Sequence, residues 1–417
     1  MIFPKQGLSS FLKKAPVFLY ERMINMTTQK LETQFIHATG VDRETGAVNV
    51  PLYLSSTYHQ ESFDEFGPFD YSRSGNPTRL KLEETIAKLE NGTRGFAFSS
   101  GMAAISSAFM LLSAGDHVLV SKDVYGGTYR FVTEVLNKFQ IDYTFVNMTD
   151  LSEMAEAIRP NTKVIYLETP SNPVMNITDI EIAAKLAKAN DCLTFVDNTF
   201  MTPLYQNPLD LGADLVLHSA TKFLSGHSDI IAGLAVTKDA ELGTRLGFIQ
   251  NTFGSVLGAQ DAYTLIQGIK TLGARLKQSS ASARIIADYL HSHPAIEEVY
   301  YPGFRFHPGY PIHERQATGA GAVLSFRLAD KEAARTFVES LQIPLFAVSL
   351  GAVESILSYP ATMSHASMPK EERDKRGITD GLLRLSVGLE HTDDLLEDLE
   401  QALQKVRQQT GNASSLL

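Results

Sequence analysis

The chain has 417 residues, of which 44% are hydrophobic and 20% are charged. A chain of this length and composition divides into two or three compact units and is neither disordered nor fibrous. The formal net charge of -10 at pH 7 disfavours nucleic acid as a partner.

The N-terminal segment is basic and partly apolar, but Lys13 and Pro16 interrupt its apolar stretches and no cleavage site follows. We therefore predict a poorly ordered extension over residues 1–25 rather than a targeting peptide. The chain offers no run of about 18 to 20 apolar residues, so no membrane span is expected. The single cysteine, Cys192, precedes an apolar run and is predicted to be buried at a strand entrance. It excludes an internal disulfide and favours a cytoplasmic location.

Residues 77–236 alternate short apolar runs with helical periodicity, which predicts an α/β domain with a mostly parallel sheet. Asn76 and Pro77 offer a helix start, and Asn91-Gly92 supplies a stop. An apolar helical stripe runs from Phe131 to Phe139. The predicted strands are Phe96–Phe98, Val118–Val120, Tyr143–Val146, Val164–Leu167, Thr194–Val196, Leu215–Leu217 and Ile230–Val236.

A second, smaller domain is predicted to follow a long helix. That helix runs through Leu265 and Leu290 and reads as a connector between domains. Beyond it the sequence predicts strands and helices of an α+β domain, at Val323–Leu328, Lys331–Leu341, Leu383–Val387 and Asp393–Val406.

Two chemically suited side chains follow predicted strands, where ligands of open parallel sheets bind. Asp197 comes directly after Val196, and Lys222 comes shortly after the strand that ends at His218. A lysine among hydroxylated residues can form an imine with an aldehyde cofactor, and a carboxylate can keep a pyridine nitrogen protonated. The alternatives are a solvated lysine and a turn or cap aspartate.

A third strand end suits a phosphate group. Ser99-Ser100-Gly101-Met102 joins a strand to a helix that is predicted to begin near Ala103, and free N–H groups at a helix start bind anions. A plain tight turn is the alternative. Tyr125 follows another strand and could stack on a flat cofactor, or it could simply pack in the core.

Two other motifs are set aside. Gly319-Ala320-Gly321 lacks the third glycine of a dinucleotide fingerprint and leads into a strand. His307 and His313 lie in a Pro/Gly-rich loop with no cluster at ligand spacing, so we expect them to be solvated and expect no metal site.

Taken together, the sequence resembles the Cys/Met-metabolism family of pyridoxal 5′-phosphate (PLP) enzymes from about Leu31 to the C-terminal helix. The resemblance implies fold type I: a large domain with a mostly parallel central sheet and a smaller α+β C-terminal domain. The motifs that carry it are Tyr71-Ser72-Arg73-Ser74-Gly75-Asn76-Pro77-Thr78, Ser99-Ser100-Gly101-Met102-Ala103, Glu168-Thr169-Pro170-Ser171-Asn172-Pro173, Val196-Asp197-Asn198-Thr199, His218-Ser219-Ala220-Thr221-Lys222, Ser349-Leu350-Gly351-Ala352-Val353-Glu354-Ser355 and Leu383-Arg384-Leu385-Ser386-Val387-Gly388.

The resemblance also implies an organisation and an assembly. Residues 26–75 would form an arm that contacts a neighbouring subunit, residues 76–270 the PLP-binding domain and residues 271–417 the C-terminal domain. The protein would be a homotetramer of two tight dimers. Tyr71 and Arg73 would reach the neighbour's cofactor phosphate.

Roles for individual residues follow from the same motif matches. Lys222 would carry PLP as a Schiff base and act as the general base, and Tyr125 would be the second catalytic residue. The other cofactor contacts would be Gly101, Met102, Tyr125, Asp197, Ser219 and Thr221, and the contacts to an amino-acid substrate would be Asn172, Ser349, Arg384 and, at the distal amino group, Glu354.

Within the family, the segment from Ser349 to Met368 is most similar to cystathionine β-lyases of Gram-positive bacteria. The expected reaction is β-elimination of cystathionine to homocysteine, pyruvate and ammonia in methionine biosynthesis, with cysteine desulfhydration as a side activity. The alternatives are a cystathionine γ-synthase or γ-lyase, and a non-catalytic protein that binds a phosphate ligand.

Overall fold

The computed structural model describes residues 29–414, and side chains up to residue 409. The extension predicted for residues 1–25 lies outside the described residues. Within the described part of the chain, no helix is both long enough and apolar enough to cross a membrane.

The larger sheet has the order β1-β7-β6-β5-β4-β2-β3. Strands β2 to β6 run parallel to one another, whereas β7 is antiparallel to both β6 and β1. The mostly parallel sheet that the sequence predicts is therefore confirmed. Its strands are β1 (Arg94–Phe98), β2 (His117–Ser121), β3 (Asp142–Val146), β4 (Thr162–Glu168), β5 (Leu193–Asp197), β6 (Leu215–Ser219) and β7 (Gly233–Thr237).

Helices cover both faces of this sheet. Alternate residues of one strand point to opposite faces, so Val216 of β6 belongs to a different apolar cluster from Leu215 and Leu217. The helices in this part of the chain are Leu31–His37, Pro77–Leu89, Gly101–Phe109, Gly126–Glu134, Leu151–Glu156, Ile180–Ala189, Thr202–Tyr205 and Ala240–Phe253, with 3₁₀ turns at Leu136–Phe139 and Pro208–Leu211.

A 34-residue helix, Ala259–Ser292, leads to the second sheet. One continuous core joins the two sheets, because Leu265 and Leu276 of this helix share a cluster with Val236 of β7 and Phe326 of the second sheet. The predicted domain boundary at residue 270 falls inside this helix.

The second sheet has the order β10-β11-β12-β9-β8 and is antiparallel except for the pair β10 and β11. Its elements are β8 (Glu298–Tyr300), β9 (Val323–Arg327), β10 (Leu345–Phe346), β11 (Ile356–Ser358) and β12 (Leu382–Ser386), with helices Tyr310–Gln316, Lys331–Ser340, Lys370–Lys375 and Thr392–Ser414.

Three expectations about local structure need correction. The last strand of the large sheet begins at Gly233 rather than Ile230, because Ala232 is bonded through its N–H and its carbonyl to the Thr221 hydroxyl. The apolar stripe near Phe131 splits into a helix and a 3₁₀ turn at Val135, whose φ of -112° departs from helical geometry.

The third correction concerns the histidines. His313 is not solvated but is buried in the helix Tyr310–Gln316, where its Nε2 lies 2.9 Å from the carbonyl oxygen of Gly319. Desolvation lowers the pKa of His313 to about 4. Within residues 29–409 no group of His, Cys, Asp and Glu side chains is arranged to hold a metal ion.

Candidate active site

The site lies where the carboxyl ends of β4, β5 and β6 meet the loop between β10 and β11. Lys222, three residues beyond β6, is partly buried there, and its Nζ lies 2.8 Å from the Ser349 hydroxyl. Burial, and after it the positive charge of Arg384, lowers the pKa of Lys222 to about 8. This lysine therefore has an unprotonated, nucleophilic amine at a pH where an ordinary lysine is charged.

Arg384 on β12 fixes three groups around this lysine. Its Nη1 donates to Asn172 Oδ1 at 2.8 Å, and its Nη2 donates to the Ser349 carbonyl at 2.7 Å and to Ser358 Oγ at 3.2 Å. The side chain is 3% exposed, and burial lowers its pKa to about 10, so it stays charged at neutral pH. Its Nε is buried and has no hydrogen-bond partner within the described residues.

Ser349 is held in an unusual backbone conformation, with a φ of 110°. Non-glycine residues rarely adopt such a φ, and surrounding contacts must maintain it. Here the Ser349 carbonyl is bonded to Arg384, and its hydroxyl to Lys222. The second sheet thus delivers a hydroxyl and a guanidinium group to the edge of the first.

Asp197, the last residue of β5, is a buried carboxylate with a network of its own. Its Oδ1 accepts the Thr199 N–H at 3.0 Å and the Thr199 hydroxyl at 2.5 Å, and the Tyr166 hydroxyl lies 3.4 Å from its Oδ2. The Thr199 hydroxyl oxygen also accepts the N–H of Ser219 at 2.8 Å. This chain of bonds ties the end of β5 to the end of β6.

Glu168 ends β4 beside Asp197, and the two residues are paired in register. Glu168 accepts the N–H of Tyr125 at 2.8 Å. Burial, followed by the neighbouring Asp197 charge, raises the pKa of Glu168 well above its usual range. Glu168 is not among the residues predicted for the site, although it is a polar residue at a strand end, as Asp197 is.

The helix Gly101–Phe109 begins beside β6. Ser100 caps it by accepting the N–H of Ala103 at 3.0 Å, and the N–H groups of Gly101 and Met102 have no acceptor inside the helix. A Cβ at Gly101 would lie 2.8 Å from Ser219 Cβ and 3.0 Å from its hydroxyl oxygen. Glycine therefore brings the helix start and the Ser219 hydroxyl together, as an anion site requires.

Tyr125 lies next to the same helix. A Cβ at Gly127 would overlap the Tyr125 ring and would lie 3.0 Å from Met102 Sδ, so ring and thioether are neighbours. Tyr125 is 40% exposed and can offer its ring to a ligand. Thr221, by contrast, uses its hydroxyl to bind Ala232.

Tyr71, Arg73 and Glu354 share none of the hydrogen bonds described above. Arg73 donates to the Asn251 carbonyl at 2.9 Å, with its guanidinium 5.8 Å from the centre of the Tyr71 ring. Both residues line a surface pocket of about 330 Å³ between the N-terminal segment and the loop at Gly254. The Glu354 carboxylate is partly exposed and lies 3.5 Å from the Ser228 hydroxyl.

The chain is similar in sequence to known enzymes. Residues 32–404 match the family model described as Cys/Met metabolism PLP-dependent enzyme. Cystathionine beta-lyase MetC of Bacillus subtilis (strain 168) is 66% identical over 377 residues, covering 90% of this chain and 97% of that protein. Cystathionine gamma-lyase of the same organism is 52% identical over 379 residues, covering 90% of this chain and 100% of that protein.

A solved structure agrees with these sequence matches. The crystal structure of cystathionine gamma-lyase from Lactobacillus plantarum complexed with L-serine superposes with a TM-score of 0.89 at 48% identity. The match covers 91% of this chain and 100% of that chain.

Proposed function

This chain belongs to the Cys/Met metabolism PLP-dependent enzyme family, and we propose that it is a carbon–sulfur lyase that cleaves L-cystathionine by β-elimination. The products are homocysteine, pyruvate and ammonia, which suits methionine biosynthesis, and cysteine desulfhydration is a proposed side reaction. The observation that supports the proposal is the bonded group Lys222, Ser349 and Arg384, in which an amine and a guanidinium group that could bind a carboxylate share Ser349 as a partner.

The residues present fit PLP. When bound, PLP supplies an aldehyde for the lysine and a ring that accepts electrons from Cα. Lys222 offers the amine, and Asp197 offers a buried carboxylate for the ring nitrogen. The free N–H groups of Gly101 and Met102, beside the hydroxyl of Ser219, offer donors for the phosphate. We also propose that the Tyr125 ring stacks on the PLP ring. Thr221 is proposed to contact the phosphate because it is next to Lys222 in sequence.

The substrate's α-carboxylate is assigned to Arg384, Asn172 and Ser349. The charged guanidinium of Arg384, which is oriented by its bonds to Asn172 and Ser349, supports this because a guanidinium suits a carboxylate in charge and geometry. The Lys222 amine, with its pKa lowered to about 8, then removes the proton from Cα as general base. Its hydrogen bond to Ser349 keeps the amine on the side of the carboxylate site.

Glu354 is proposed to meet the distal amino group of cystathionine. Its carboxylate is partly exposed and has one weak partner, Ser228 at 3.5 Å, so it is free to bind an ammonium group. Glu354→Gln should raise KM for cystathionine and leave KM for cysteine, which has no distal amino group, unchanged. An equal effect on both substrates would contradict this role.

Product analysis tests the proposed reaction. Purified protein with PLP and cystathionine should release pyruvate and homocysteine, and Lys222→Ala should release neither. The second candidate is a γ-lyase, favoured by the relative that is 52% identical. Release of 2-oxobutyrate with little pyruvate would overturn the β-lyase proposal in favour of that candidate.

We further propose that the protein is a homotetramer in which Tyr71 and Arg73 serve a neighbouring subunit's cofactor phosphate. Tyr71 is 47% exposed, and both residues open onto the pocket at Gly254 rather than toward Lys222. A cytoplasmic location is part of the proposal and rests on the lone buried Cys192.

A mixing experiment tests whether sites are shared. Arg73→Ala and Lys222→Ala chains, each inactive alone, are unfolded together and refolded as a mixture. If Arg73 serves the neighbour, mixed dimers contain one intact site, and about a quarter of wild-type activity returns. Recovery of no activity, with each variant refolded alone retaining its assembly state, would mean that each chain completes its own site.

A further inference from the structure

A buried acid–histidine pair lies directly behind the proposed cofactor site. His218 Nε2 lies 2.7 Å from Glu90 Oε1, and both side chains are 0% exposed. Glu90 is the C-cap of the helix Pro77–Leu89, and His218 is the penultimate residue of β6. The pair therefore links a helix end to the strand that leads to Lys222.

Glu90 gathers further donors, as a buried carboxylate must. Asn198 Nδ2 donates to Glu90 Oε1 at 2.9 Å, and Asn207 Nδ2 donates to Oε2 at 3.2 Å. The Asn198 amide is bonded in turn to Gln206, whose Nε2 reaches the Thr169 carbonyl at 3.2 Å. One network thus connects the segments at the ends of β4, β5 and β6.

Members of this network alternate in sequence with residues of the site. Asn198 follows Asp197, and His218 precedes Ser219. Successive strand residues point to opposite faces, so fixing His218 behind the sheet fixes the direction of Ser219 in front of it. The network has no contact of its own with Lys222 or Arg384 among its hydrogen bonds.

We infer that Glu90 and His218 are positioning residues, which hold the ends of β5 and β6 so that Asp197 and Ser219 face the cofactor. This inference rests on the proposed function, because it presumes that PLP binds at these strand ends. Buried polar pairs often contribute little stability compared with apolar side chains of similar volume. A network of polar groups at this place suits alignment of a site more than general stability.

The state of His218 is consistent with this role. Glu90 accepts hydrogen bonds from every partner, so His218 donates its Nε2 proton to it. Its Nδ1 has no partner within the described residues. This hydrogen bond orients the His218 ring, and with it the end of β6, relative to the helix end at Glu90.

The test compares His218→Leu, His218→Gln and Glu90→Gln with wild type, and uses His313→Leu as a matched control. His313 is likewise buried, with one ring nitrogen bonded and the other without a partner in the described residues, but it lies in the helix Tyr310–Gln316. Three quantities are measured. They are the Kd for PLP, from titration of the imine absorption band, the pH at the midpoint of the change in that band, and the Tm of the cofactor-free protein.

We expect His218→Leu and Glu90→Gln to weaken PLP binding about tenfold or more, the scale of one lost buried bond to a charged group, and to shift the absorption midpoint. His218→Gln, which can still donate to Glu90, should recover most of the affinity. His313→Leu should lower Tm without changing either cofactor measurement.

Two results would overturn the inference and are distinguishable. If His218→Leu and Glu90→Gln lower Tm but keep the wild-type Kd for PLP and the wild-type imine absorption band, the pair is purely structural. If wild-type protein forms no imine absorption band with PLP, or if Lys222→Ala still forms that band, the proposed cofactor site itself fails, and the inference fails with it.

Discussion

Replacing Arg384 with lysine tests the proposed substrate site most directly. The change keeps a positive charge but removes the planar fork that holds Asn172 Oδ1 at 2.8 Å and the Ser349 carbonyl at 2.7 Å. A lysine ammonium is a point charge and cannot satisfy both partners while also meeting a carboxylate. The proposed substrate carboxylate would then lose an oriented, charge-assisted bond.

The size of the loss follows from this geometry. A hydrogen bond to a charged group contributes about 1.5–3 kcal/mol, so kcat/KM for cystathionine should fall about 10- to 150-fold. Most of the change should be in KM, because the carboxylate is bound in the ground state as well as in the transition state. PLP absorption should remain, since Arg384 is assigned to the substrate and not to the cofactor.

The assay is steady-state release of pyruvate, with absorption and Tm measured on each preparation. The matched control is Arg327→Lys on the neighbouring β9, where the guanidinium forms surface ion pairs with Glu297 and Glu298. That variant should have wild-type kinetics. Unchanged KM in Arg384→Lys, or an equal loss in Arg327→Lys, would show that Arg384 does not hold the carboxylate.

Three further predictions concern the cofactor side. Gly101→Ala places a methyl group 2.8 Å from Ser219 Cβ and should weaken PLP binding about 5- to 150-fold through about 1–3 kcal/mol of overpacking, measured by equilibrium dialysis; unchanged affinity would contradict the close approach. Burial and Arg384 lower the pKa of Lys222 to about 8, so the unprotonated, reactive amine becomes the main form above that pH. The rate at which cofactor-free protein takes up PLP should therefore increase with pH, with a midpoint near pH 8. A midpoint near the ordinary lysine value would refute that environment. Glu168→Gln should reduce pyruvate release less than Asp197→Asn does when both variants are compared at equal PLP occupancy. The reverse order would contradict the proposal that Asp197, and not Glu168, is the carboxylate for the ring nitrogen.

Much of the large sheet could be predicted from sequence because its signals are local. Apolar runs located β1 to β6, and the polar residues at or after the ends of two of those strands made Asp197 and Lys222 candidates. The helix start proposed for the phosphate likewise depends on neighbours in sequence, Ser100 and Gly101, whereas the approach of Ser219 to Gly101 does not. The physical reason is that parallel strands deliver their carboxyl ends to one edge, so each strand end can be judged separately.

Contacts between the two sheets could not be predicted from residue patterns. Lys222 and Ser349 are 127 positions apart, and Asn172 and Arg384 are 212 positions apart. Nothing in local periodicity distinguishes Arg384 from another strand arginine such as Arg327. Only the family resemblance pointed to Ser349 and Arg384, and the structure shows the bonds that join them.

The pairing of β4 with β5 brings a second carboxyl group, that of Glu168, next to Asp197. Two adjacent buried carboxylates resist ionising together. The Thr199 N–H and hydroxyl both donate to Asp197, which favours the charged form of Asp197. Burial raises the pKa of both carboxyl groups; the Asp197 charge adds to the rise at Glu168, whose pKa lies well above its usual range, whereas the bonds from Thr199 offset part of the rise at Asp197. Of the two, Asp197 is therefore the better candidate for the carboxylate that a protonated ring nitrogen requires.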